Sequence, residues 1–199
     1  MRLIVAISGA SGAVYGIRAL QVLHDLGVET HLVLTSAALE TVRLETDHKR
    51  AEIESLATET HKVDDITSKL ASGSFRTDGM LVIPCSMKTL AGIASGYSDN
   101  LLLRAADVTI KERRRLVLVV REAPLSLIHI ENMVTVTRAG AVVLPAMPAF
   151  YNRPKTINDL VDQVVGKALD LLGVEHHLSR RWQGPDNREP VASRRRAKP

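Results

Sequence analysis

Five short runs rich in apolar and β-branched residues, each separated from the next by a longer stretch of helical character, limit this chain to an alternating α/β fold. Leu3–Ile7 is continuous apolar sequence, the pattern of a strand covered on both faces. Ser8-Gly9-Ala10-Ser11-Gly12-Ala13 turns it into a helix expected over Val14–Leu26 and stopped by Gly27. Further strands are expected at Glu29–Leu34, Met80–Ile83, Leu116–Val120 and Ala141–Leu144, with Pro84 ending the third. Helices are expected from Ser36 as N-cap, over Lys49–Ala57, after Cys85, over Asn100–Arg113 and over Thr156–Leu172, with a less regular one at Asp64–Ala71. Short connections between such elements require right-handed crossovers. The result is a three-layer, doubly wound parallel sheet of Rossmann or flavodoxin-like type.

The 199 residues suit one domain, and 45% hydrophobic content is that of a globular chain. No apolar run reaches the length of a membrane span, and the start reads as a strand rather than a signal peptide, so a cytoplasmic location is expected. Of the formal charge of +4, the segment 185–199 supplies most, with five basic groups against two acids. With only 1 Trp, 3 Tyr and 2 Phe for stacking, the basic balance does not indicate nucleic acid. The single cysteine, Cys85, excludes an intrachain disulfide, and the seven histidines show no metal-ligand spacing, so no metal is assigned.

Open α/β sheets bind ligands beyond the carboxyl ends of their strands. In chain order those ends deliver Ser8–Ala13, Thr35-Ser36, Ser86–Thr89, Arg121-Glu122 and Pro145–Tyr151. Small residues, hydroxyls, an arginine, a carboxylate and a phenol on one edge suit a phosphate-bearing ligand. Gly9 and Gly12 allow close backbone approach to an anion at the start of the first helix, although a tight turn needs the same residues. The second strand ends without the acidic residue that holds an adenine ribose, which disfavours NAD and leaves a mononucleotide such as FMN. Ser36 reads equally as a plain helix cap. Arg104 and Lys111 share a helix face with Asp107, which can pair with both in a solvated ionic stripe.

Several ordered motifs then carry a family resemblance. They include Ile7-Ser8-Gly9-Ala10-Ser11-Gly12-Ala13, Leu44-Glu45-Thr46-Asp47, Ser72-Gly73-Ser74-Phe75 and Pro84-Cys85-Ser86-Met87-Lys88-Thr89-Leu90. Lys111-Glu112-Arg113-Arg114, Arg121-Glu122-Ala123-Pro124-Leu125, Pro148-Ala149-Phe150-Tyr151-Asn152-Arg153-Pro154 and Arg181-Trp182-Gln183-Gly184 continue the set. From Leu3 to about Gly184 the chain resembles the UbiX-type flavin prenyltransferases, within the homo-oligomeric FMN-containing decarboxylase-like proteins, and its Ser72–Lys88 stretch looks most like the small B components of aromatic hydroxy-acid decarboxylases.

The resemblance implies a cytoplasmic, dodecameric enzyme. It would join a dimethylallyl group from dimethylallyl phosphate to N5 and C6 of reduced FMN without a metal, and supply the prenylated FMN to a UbiD-type decarboxylase. It implies that Gly9, Ala10, Ser11, Ser36, Ser86, Met87, Lys88, Thr89 and Arg121 hold FMN. Arg104, Lys111, Glu122, Tyr151 and Lys167 would hold the prenyl donor, some across subunit boundaries. Ser11, Glu45 and Glu122 would be catalytic, the first two managing protons near N5. Lys167 stands where many members carry arginine, and Arg115 where proline is common. One domain over 1–184 and a basic, mobile tail over 185–199 follow. An FMN-dependent peptidyl-cysteine or phosphopantothenoylcysteine decarboxylase on the same fold is disfavoured, because its histidine base and Asn-containing motif have no match. A non-catalytic FMN carrier or accessory B subunit is the alternative of a different class.

Overall fold

The computed structural model describes residues 1–178. The Arg181–Gly184 motif, the 184/185 boundary and the basic tail all lie outside the described residues. Among the described residues six strands alternate with seven helices: β1 (Arg2–Ile7), α1 (Ala13–Asp25), β2 (Glu29–Leu34), α2 (Ser36–Glu45), α3 (Arg50–Ser55), β3 (Glu59–His61), β4 (Gly79–Cys85), α4 (Met87–Ser95), α5 (Leu101–Lys111), β5 (Arg115–Val120), α6 (Leu127–Arg138), β6 (Val142–Pro145) and α7 (Ile157–Leu172). A single 3₁₀ turn at Lys69–Ala71 precedes β4.

The strands form one parallel sheet in the order β3-β2-β1-β4-β5-β6. Chain direction across the sheet reverses between β1 and β4, so the crevice beyond their carboxyl ends is the switch point where such folds bind ligands. Side-chain alternation along β1 explains why both faces are covered. Leu3, Val5 and Ile7 pack into one core with Ile17, Leu20 and Val165 from α1 and α7. Ile4 and Ala6 enter a second core with Leu90 and Leu102 from α4 and α5.

Glycine permits the closest approach between these layers. A Cβ on Gly16 would lie 2.5 Å from the Ile83 carbonyl oxygen and 2.6 Å from Ile7 Cδ1, so α1 rests directly on the sheet. Ser8 joins the ends of β1 and β4: its hydroxyl donates to the Pro84 carbonyl at 2.9 Å and accepts from the Ser86 amide at 2.8 Å. Arg18 on α1 pairs with Asp162 on α7 at 2.7 Å, tying the two helices of that layer.

Five local expectations need correction. β4 does not stop before Pro84 but runs to Cys85, because a register shift between Val82 and Cys85 accommodates the missing amide. β3 lies within sequence read as a connection, and the segment expected as an irregular helix at Asp64–Ala71 holds only the single 3₁₀ turn. α6 occupies Leu127–Arg138, a stretch to which no element was assigned. The cap of α2 is Thr35, whose hydroxyl accepts from the Ala38 amide at 3.0 Å, and Ser36 is the first helical residue.

Candidate active site

The carboxyl ends of β1, β2 and β4 surround a cleft of about 490 Å³. Its walls include Gly9, Ser36, Ser86, Lys88 and Thr89, together with Asp64 and Asn100, which sequence reasoning did not single out. α2 and α4 begin at this cleft. The Thr35 and Ser86 side chains cap them, and Ser36, the first residue of α2, lines the cleft. Exposed first-turn amides and hydroxyls at two converging helix starts form a donor set suited to a phosphate monoester and a polyol chain. The residues present therefore fit FMN.

Other expected binding residues contribute differently. The Gly9 Cβ position is taken by Ala37 Cβ, so this glycine is already required by the contact between the β1 turn and α2. Met87 is 8% exposed and packs in the second core, so only its backbone at the start of α4 remains for a ligand. Ala10 is likewise buried. Cys85 is fully buried and its thiol is pushed up to about 12, which makes it a small apolar group rather than a nucleophile.

Ser11 and Glu45 come together across the start of α1. Gly12 sits at the N-cap in the left-handed region, φ 105°, and offers no capping side chain. Glu45, from the far end of α2, fills that role. Its carboxylate accepts the Gly12 amide at 2.8 Å and the Ala13 amide at 2.9 Å, with Ser11 as a further hydrogen-bond partner. Partial burial opposes ionisation of Glu45, but Ser11, the two amides and nearby Arg121 outweigh it and hold the group below the usual carboxylate range. Tyr15, unanticipated from sequence, lies against Gly12; burial raises its hydroxyl's pKa and Arg121 opposes that shift.

The depressed Glu45 has a consequence for stability. A carboxyl bound more tightly as its anion contributes stability that is complete above its unfolded value near 4.5 and is lost as pH falls through the lower folded value. Glu45→Gln is therefore expected to flatten the fall in Tm below about pH 5 relative to the parent chain, as followed by thermal melts across acid pH.

Arg121 and Glu122 follow β5 and are exposed; Glu122 accepts the Ala123 amide at 3.0 Å. The adjoining end of β6 leads into Tyr151, 61% exposed, and the Ala146 amide joins the two ends by donating to the Val120 carbonyl at 3.0 Å. Lys167 is exposed on α7. Arg104 and Lys111 sit elsewhere, on α5. Arg104 pairs with Asp107 at 2.5 Å and donates to the Ala71 carbonyl at 3.2 Å. Lys111 pairs with Glu112 rather than Asp107, beside Gly73, so Asp107 does not bridge both cations as the spacing allowed. Lys111 closes α5 just before β5 begins, whereas Glu122 follows its end. A six-residue strand separates the two levels by roughly 20 Å. One chain thus places Lys111 and Glu122 on opposite levels of the sheet.

α6 leaves most of its apolar residues exposed. Of its twelve residues only Val136 is buried, while Leu127, Ile128, Ile130 and Val134 are exposed. Met147 and Phe150 add to the apolar surface beyond β6. A helix gains most of its stability from packing an apolar face, and a patch of this extent is characteristic of a protein–protein contact.

Residues 1–169 match the family model described as Flavoprotein. The flavin prenyltransferase UbiX of Thauera aromatica is 50% identical over 194 residues, covering 98% of this chain and 100% of its own. A crystal structure of AnUbiX (PadA1) in complex with FMN and dimethylallyl pyrophosphate superposes with a TM-score of 0.92 and 52% identity, covering 93% of this chain and 98% of that one. A dodecameric FMN-dependent UbiX-like decarboxylase from Escherichia coli O157:H7 superposes with a TM-score of 0.91 and 54% identity, covering 92% and 100%.

Proposed function

The chain belongs to the Flavoprotein family and, within it, to the UbiX-type flavin prenyltransferases, and on that footing we propose how its own residues carry out prenyl transfer to FMN. The observation that carries the reading is the switch-point cleft, where Gly9, Ser36, Ser86, Lys88 and Thr89 gather at two helix starts. Together with Ala10, Ser11, the Met87 backbone and Arg121, these residues would hold the flavin. Reduced FMN supplies the electron-rich N5 and C6 positions that accept a dimethylallyl group.

The chain's part is electrostatic and positional. Departure of an allylic phosphate builds negative charge on the leaving oxygens, which cations and a phenol stabilise. Arg104, Lys111, Glu122, Tyr151 and Lys167 are the proposed donor pocket, with Glu122 orienting the basic groups and Tyr151 donating to the phosphate. Ser11 and Glu45 are proposed to hold and move the proton beside the flavin. Their hydrogen-bonded placement at the start of α1 supports that role. The donor is a dimethylallyl phosphate ester; the related crystal structure contains the pyrophosphate.

The roughly 20 Å between the levels of Lys111 and Glu122, and the exposed apolar face of α6, support a donor pocket completed by a neighbouring copy. A dodecamer, as in the related Escherichia coli protein, is the proposed assembly. No helix among the described residues is long and apolar enough to cross a membrane. A cytoplasmic location is proposed because the flavin must arrive reduced. The product's use, as a cofactor for a UbiD-type decarboxylase, is proposed from family membership.

A carrier subunit is distinguished from an enzyme by two substitutions. Glu122→Gln and Tyr151→Phe are expected to retain FMN at parental affinity while lowering prenyl transfer by about 10²-fold or more, measured by fluorescence titration and product chromatography. A protein that only stores flavin would deliver the same flavin before and after either change.

A further inference from the structure

We propose that His31, His61 and Glu59 form a binding site for a divalent transition metal of the zinc class at the β2–β3 edge of the sheet, apart from the flavin cleft. β2 and β3 pair in parallel with His31 beside Glu59 and Val33 beside His61, which brings side chains at 31, 59 and 61 to the same face. His31 Nδ1 and His61 Nε2 are 3.0 Å apart, and the Glu59 carboxylate stands 3.7 Å from each. One ligand atom from each residue lies within 4.8 Å of the others. Zinc holds imidazole nitrogen and carboxylate oxygen at about 2.0–2.2 Å, so adjustments of a few tenths of an ångström would bring all three onto one ion.

The surroundings are those of ligands, with an outer partner for each ring. His31 Nε2 faces Glu29 Oε1 at 3.1 Å, and Arg2 holds that carboxylate at 2.6 Å. His61 Nδ1 faces Ser68 Oγ at 2.9 Å. Carboxylate and hydroxyl partners on the non-ligating nitrogens are what fix imidazoles for metal binding. Phe75 packs edge-on against His31 at 5.2 Å and walls off the inner side. Entry is from the Glu59 side, where that carboxyl is 46% exposed while the rings are 1% and 6% exposed.

Proton accounting is simple. His31 already carries its proton on Nε2 when it donates to Glu29, leaving Nδ1 for the metal. His61 moves its proton from Nε2 to Nδ1, where Ser68 accepts it, so neither ring changes charge. Lys69 competes with the ion, because its ammonium group pairs with Glu59 and must leave it. Two and three residues beyond His61, Val63 and Asp64 line the flavin cleft, so a bound ion would brace that wall.

Untagged protein freed of metal with a chelator is titrated with Co²⁺, followed by its visible d–d bands, and with Zn²⁺ by calorimetry. One saturable site per chain is expected. Glu59→Gln should weaken it by about tenfold or more, and Glu29→Gln by about 10–100-fold. Lys69→Gln should tighten it, a result that a purely structural histidine pair or scattered surface binding does not produce. All three side chains are more than one-third exposed, so these variants should keep the parental circular dichroism and FMN binding. Absence of a saturable site, or uptake indifferent to Glu59→Gln and Lys69→Gln, overturns the proposal. Neither readout depends on prenyl transfer.

Discussion

Oligomers assembled from Lys111→Ala and Glu122→Gln chains together are expected to turn over, whereas oligomers of either variant alone fall by about 10²-fold or more. The expectation comes from where one chain puts the two groups. Lys111 lies at the amino end of β5 and Glu122 just past its carboxyl end, on opposite levels of the sheet. A donor pocket using both must draw Lys111 from one copy and Glu122 from another, so random mixing at equal amounts regenerates roughly a quarter of the sites. The apolar α6 face, with Leu127 69% and Ile128 67% exposed, is the contact proposed to hold the copies together. Turnover of co-expressed, co-purified variants measures this directly; activity no higher than the two separate oligomers would place both residues in one chain's pocket or outside it.

The second large effect is on folding. Gly16→Val is expected to destabilise the chain by about 3 kcal/mol or more, a large part of a typical domain's stability. A side chain there meets the Ile83 carbonyl at 2.5 Å and Ile7 at 2.6 Å, and the carbonyl belongs to the backbone of central β4. α1 would have to lift from the sheet, exposing Ile17 and Leu20, both almost fully buried. Urea titration should show a lower midpoint, with Gly16→Ala intermediate. An unchanged midpoint for the valine variant would mean that α1 does not rest on the sheet as described.

Much of this was legible in sequence because strands buried on both faces announce themselves. Leu3–Ile7, Leu116–Val120 and the punctuation by Gly27 and Gly173 locate the central sheet and its helices to within a residue or two. The strand-end rule puts Gly9, Ser36, Ser86, Lys88 and Thr89 on one edge, and the structure places them around one cleft. What was missed has physical causes. β3 has only three residues, Glu-Thr-His, paired on one side, so it carries no apolar signature. α6 hid because its apolar residues face outward, which destroys the inward stripe that marks a helix in a single chain. Pro84 normally ends a strand, and only the bulge lets β4 continue. Thr35 and Ser36 are equivalent as caps on paper, and backbone geometry alone decides between them.

The histidine cluster was illegible for a related reason. His31 and His61 are thirty residues apart, on strands whose pairing depended on finding β3. Glu45 reads as an ordinary surface carboxylate until α2 folds back and sets it on the Gly12 and Ala13 amides. Long-range placement of this kind is set by topology, which local patterning does not encode.

The reaction assigned to this chain forms a bond between a dimethylallyl group and reduced FMN. Purified protein is incubated without oxygen with reduced FMN and dimethylallyl phosphate, the flavin is released by denaturation, and its mass is measured. A flavin heavier by one five-carbon prenyl unit is expected, formed about 10²-fold or more slowly when Glu122→Gln replaces the parent; flavin of unaltered mass from folded, FMN-loaded protein would contradict prenyl transfer by this chain.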